Sequence, residues 1–244
     1  MPQDDSRVPT DLTPPEHKGI DKAYMILKAA LAGVPLVGGP ANELLGLVFG
    51  DPYQKRHQKW CEVVASVLNY LVNKKGIPIE DLQENEMFFS AVANASQIAT
   101  RNHQKEKREA LRNALINSVV SETIDESLLN QFLYYIDILT VWHIRILRAF
   151  LSPQPGKQDE RYRSIYTSLD KVLEETYPEL RGKRNIYDVC WSDLYARGLV
   201  NTDTLHGMMT PQGAYSKRTT ELGDQFLGFI SQPEVEGDMN AGTK

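Results

Sequence analysis

The chain has 244 residues, 41% of them apolar and 24% charged, with a formal net charge of −5 at pH 7. That is the make-up of an ordinary globular protein, long enough to bury a substantial core in one or two domains. The acidic balance gives no general reason to expect a nucleic-acid partner, and the two cysteines, Cys61 and Cys190, lie too far apart for a disulfide framework.

In chain order, residues 1–19 form a polar, proline-bearing lead-in, expected to be flexible, with acids where a secretion signal carries bases. The thiols are therefore expected reduced and the protein cytoplasmic. Residues 29–50, AALAGVPLVGGPANELLGLVFG, have the length of a membrane span. Pro35, Gly38, Gly39 and Pro40 interrupt them, and Glu43 would carry a charge into lipid. The expectation is a helix over 21–32, a glycine turn, and a new helix from Pro40 that packs in a core. A membrane-active hairpin is the alternative, supported by the flanking Lys55, Arg56, Lys59, Lys74 and Lys75.

From Pro52 to Gly76 the spacing of Trp60, Val63, Val64, Val67, Leu68 and Leu71 predicts one amphipathic helix with a single buried stripe. The acidic connector IPIEDLQENE follows, and then MFFSAVANASQIATRNHQKEKREALRNALINSVV reads as a single helix of about 30 residues. Its ends are apolar, whereas residues 100–108 at its centre are polar on every face. The stretch DESLLNQFLYYIDILTVWHIRILRAFLSP is apolar nearly all round and predicts a central bundle helix, stopped by Pro153 and Pro155. This sets out an all-α helical bundle over 20–153, a linker at 154–159, a second domain over 160–232 and a flexible tail at 233–244.

The second domain opens with two helices, RYRSIYTSLDKVLEETYPEL and NIYDVCWSDLYARGLV. A glycine-bearing stretch, NTDTLHGMMTPQGAYSKR, reads as a β-hairpin, and TTELGDQFLGFI as a closing helix. Gly198, Leu199 and Val200 at the end of one helix, and Thr219, Thr220, Glu221, Leu222 and Gly223 at the start of the last, resemble the second half of a winged-helix domain. Segments such as GGPANEL and IDILTVWHIRILRAF are similar to uncharacterised bacterial helical proteins, a likeness that brings no activity. The expected fold is thus mainly α, a helical bundle followed by a winged-helix-like domain with a small hairpin.

A winged helix that binds DNA needs a basic reading helix and wing. Residues 157–232 carry ten basic and eleven acidic side chains, so binding would have to run through a local patch of Arg181, Lys183, Arg184, Arg197, Lys217 and Arg218. A second basic group, Arg101, His103, Lys105, Arg108 and Arg112, could hold an anion or an acidic partner, with Glu80, Asp81, Glu84 and Glu86 as an internal alternative.

Phosphate loops, dinucleotide fingerprints and zinc motifs are absent from the sequence. His57 and Cys61, four apart on a helix, could pair as thiolate and base or as two metal ligands, but no third ligand is predictable. Asp137 and His143 sit in an apolar helix on roughly opposite sides, so each needs a partner elsewhere. His206, with Met208 and Met209, suggests a contact surface. No catalytic residue, metal or cofactor is assigned. The expected role is a non-catalytic adaptor or regulator that works through protein contacts or self-association. A DNA-binding regulator and a membrane-active effector are the alternatives.

Overall fold

The computed structural model describes residues 52–154 and 166–233. The expected hairpin at 29–50, the lead-in, most of the linker and the tail lie outside them. Helix α1 (Pro52–Asn73) buries Trp60, Val64, Val67, Leu68 and Leu71 of the stripe that the spacing predicts, with Val63 half-buried at its edge. At its end Gly76 takes a φ of 68°, and the chain turns back with the Ile77 N–H on the Leu71 carbonyl. Part of the acidic connector folds as a short helix, α2 (Ile79–Glu84), held by Leu82.

Two expected helices are each broken in two. The long helix over 87–120 is instead a hairpin of α3 (Glu86–Arg101) and α4 (Lys105–Val120), which pack on one another. Asn102 and Gln104 are extended between them, and the Asn102 amide caps the Ile98 carbonyl. The residues that are polar on every face supply this turn. Folding there lets Val92, Ala95 and Ala99 share a core with Leu111, Ala114 and Leu115, which a straight helix would keep apart.

The apolar helix over 125–152 is likewise α5 (Glu126–Ile138) and α6 (Val141–Ala149), with Leu139 and Thr140 extended between them. Asp125 caps α5 through the Leu128 N–H at 2.8 Å.

Beyond residue 166 the helices are α7 (Leu169–Thr176), α8 (Arg184–Ala196), the single turn α9 (Pro211–Ala214) and α10 (Glu221–Phe229). A 3-10 turn, Pro178–Leu180, joins α7 to α8. The expected winged-helix hairpin is not formed: no strand occurs among the described residues, and the fold there is helical. Two isolated antiparallel bridges stand in its place, Val200 with Thr219 and Thr167 with Met209. The intervening sequence explains this. Pro211 removes a ladder donor and starts a helical turn capped by the Thr210 hydroxyl, while Met209 pairs with distant Thr167 rather than across a hairpin.

The motif TTELG has a different task. Thr220 caps α10 through the Gly223 N–H at 3.1 Å and donates its hydroxyl to the Gly198 carbonyl at 2.6 Å. α10 then lies against α4 and α6. Its Phe226 and Phe229 rings meet Phe132 of α5 at 5.5 and 5.4 Å between centroids. From α4, Asn117 donates to the carbonyls of Gly228, Phe229 and Ser231, and Asn113 to that of Ile230. Two asparagines one turn apart thereby satisfy the open C-terminal end of α10.

Candidate functional site

Two buried titratable side chains, His143 and Lys107, lie at the break between α5 and α6. Thr140 precedes α6, and three residues on, His143 turns back over it. The Thr140 backbone N–H donates to His143 Nδ1 at 3.1 Å, and the Thr140 hydroxyl lies 2.7 Å from the same nitrogen. Nδ1 is therefore an acceptor, and the ring proton sits on Nε2, which donates to Asp193 Oδ2 of α8 at 3.2 Å. Arg197 backs Asp193 at 3.6 Å. The ring is 5% exposed, and burial holds its pKa below the usual imidazole value, partly opposed by Asp193.

Next to this pair, Lys107 of α4 is also 5% exposed and donates its ammonium to the Asp137 carbonyl at 2.7 Å, near the end of α5. A cation at a helix C-terminus complements the dipole, yet burial still pulls the lysine below its usual range. Asp137 turns its carboxylate outward to Arg101 at 3.0 Å. Glu106 takes Arg145 at 2.5 Å, and Arg145 in turn lies over the Trp142 ring at 5.3 Å. The seam thus ties α3, α4 and α5 to α6 and α8 through matched charges. It is built from short polar contacts between helices, so its chemistry is positional: it sets where α6 begins and how α8 lies on it.

Asp137 and His143 do find separate partners, as their spacing requires. Cys190 stands beside this seam, but burial pushes its thiol up, so it is held as a thiol. His57 Nδ1 lies 3.7 Å from Cys61 Sγ, placing the pair on one face; burial raises the Cys61 thiol too, the reverse of an activated thiolate. Among the described residues, no group of three or more His, Cys, Asp or Glu side chains is placed to hold a metal ion. His206 is clasped between two carboxylates, Nε2 to Asp188 at 2.7 Å and Nδ1 to Asp170 at 3.4 Å, and so joins its loop to α7 and α8.

Of the basic residues around α8 and the expected wing, Arg184 pairs with Asp188, Arg197 with Asp193, and Lys217 with Asp224. Arg218 donates to the Gly213 carbonyl. Arg181 and Lys183 are exposed, with no ion pair among the described residues. In the other basic group, Arg101 is bound to Asp137, Lys105 to Glu109 at 3.5 Å, and Arg112 to the Asn113 side chain. His103 is exposed at the α3–α4 turn, and Arg108 is half-buried on α4.

The sequence places Lys107 with the polar residues at 100–108 rather than in a core, and gives the two asparagines of α4 no role. Lys107 carried a readable signal: with Ala110, Leu111 and Ala114 it completes the i, i+3, i+4, i+7 face of a helix. Asn113 and Asn117 had none, because their partners are backbone carbonyls more than 100 residues away. No family model matches the chain, and neither does any curated protein or solved structure.

Proposed function

We propose that the protein is a non-catalytic adaptor or regulator of the cytoplasm and that it works through protein contacts made by α8. The observation that carries this reading is the outer face of α8, where Ile186 and Val189, one turn apart, are 39% and 60% exposed. The inner face of the same helix is anchored by Tyr187, Cys190, Trp191 and Leu194, so the exposed pair is held on a rigid support. Paired charges, Arg184–Asp188 and Asp193–Arg197, flank it and leave little net field at its edges. Four of the six cations that a nucleic-acid reading would use already bond to groups of the same chain, which leaves fewer free for phosphate contacts. No helix among the described residues is long and apolar enough to cross a membrane.

The test sets wild type beside I186D/V189D in three assays: capture of partners, anisotropy of a labelled duplex at low and near-physiological salt, and flotation on anionic liposomes. Proteins retained by wild type and lost by the variant, without binding to duplex or liposomes, are the expected result. Salt-sensitive duplex binding in the submicromolar range would replace this reading with a nucleic-acid regulator.

A further inference from the structure

We propose that His143 is a proton-operated latch: its neutral ring holds α6 and α8 together, and its protonation releases them. The reason is the donor pattern around the ring. Nδ1 faces the Thr140 backbone N–H at 3.1 Å, so a proton added there would set two donors against each other. It would also bring positive charge to the N-terminus of α6, the positive end of the helix dipole.

The charges around the ring divide unevenly. From α8, Asp193 favours the imidazolium and Arg197 opposes it; from α4, Lys107 opposes it. The Cys190 thiol of α8 stays neutral, and α7 and α10, which also pack on α6, add no charge that acts on the ring. Asp193 is already satisfied as acceptor of the Nε2–H, and its side chain is 47% exposed, so solvent screens what it would gain from the added charge. The acceptor in reach of the added proton is the Thr140 hydroxyl, 2.7 Å from Nδ1, which already accepts the His143 backbone N–H, and the Thr140 backbone N–H stays aimed at the same nitrogen. The ring meets water only by leaving, and with it go the Thr140 cap and the bond to α8.

The location makes the consequence large. α8 packs on α6, where the buried Trp191 ring meets Phe150 at 4.9 Å between centroids. The inference needs no partner, so it stands or falls separately from the role of the outer face of α8.

The experiment uses the full chain labelled with nitrogen-15. Ring spectra are expected to show the Nε2–H tautomer of His143 at neutral pH. Between about pH 7.5 and about pH 5.5, amide protection factors in α8 are expected to fall at least about tenfold in wild type. H143Q places at the third helical position a residue that reaches back to the Thr140 N–H but does not titrate, and its fall should be less than about twofold. H206Q removes the other histidine bonded to α8 and is expected to behave as wild type.

An Nδ1–H tautomer, a ring that titrates with α8 protection unchanged, a wild-type fall in H143Q or a lost fall in H206Q would each overturn the latch. Should H143Q not fold, the wild-type tautomer and its titration against α8 protection decide alone.

Discussion

Gly223 has no room for a side chain. A Cβ there would lie 2.3 Å from the Leu199 carbonyl oxygen, a backbone atom held by the Thr220 N–H. Gly223→Ala should cost more than about 2 kcal/mol in urea denaturation, because neither backbone can yield. Gly228, five residues on in the same helix, has open space where its Cβ would be. Gly228→Ala should stabilise by about 0.5–1 kcal/mol through the unfolded chain, and equal effects of the two substitutions would refute the close crossing. Asn117 supports the other end of α10. Asn117→Ala leaves three carbonyls without their shared donor and should cost about 2 kcal/mol by the same measurement.

At the scale of the element, the two breaks decide the architecture, and they differ in kind. The α3–α4 turn is a short polar link whose hydrogen bonds stay on either side of His103, so two glycines inserted after His103 should cost less than about 1 kcal/mol in thermal or urea unfolding. In an unbroken helix the same insertion would rotate every following residue by more than half a turn and expose Leu111 and Leu115. The α5–α6 break is a built junction, since Thr140, His143, Lys107 and Asp193 all bond there. The apolar ends of the first segment were readable in the sequence and the second read as apolar nearly all round, and the breaks were not readable in either. Neither contains proline or glycine, and each forms because the chain buries more by folding back than by running straight. The hairpin expected between Val200 and Thr219 failed for the same kind of reason. Its local glycines allowed a turn, but Met209 found its backbone partner at Thr167.

Across the whole molecule, one contiguous core runs from Trp60 in α1 to Ile230 after α10. Phe226→Ala should therefore cost about 3–5 kcal/mol and lower the unfolding midpoint followed by helix circular dichroism and by tryptophan fluorescence together. Stability should also depend on pH through His143. The unfolded chain takes up its proton at about pH 6.5, the folded chain only below that. Between the two values the unfolded state binds more protons. The contribution of His143 is thus full above the ordinary imidazole range and is lost as pH falls through it. A urea midpoint that drops on acidification in wild type but not in H143Q is the expected result.

By itself the sequence determined the helical character, the buried faces of α1, α3, α4 and α10, the end of α8 near Gly198 and the need of Asp137 and His143 for partners. These are local properties, set by side-chain period and by residues that cap or break a helix. Tertiary structure alone decided where the two long apolar segments fold, which carbonyls Asn113 and Asn117 satisfy, and that His143 meets Asp193. Those outcomes turn on contacts between residues far apart in the chain, where the burial gained by packing outweighs any local preference.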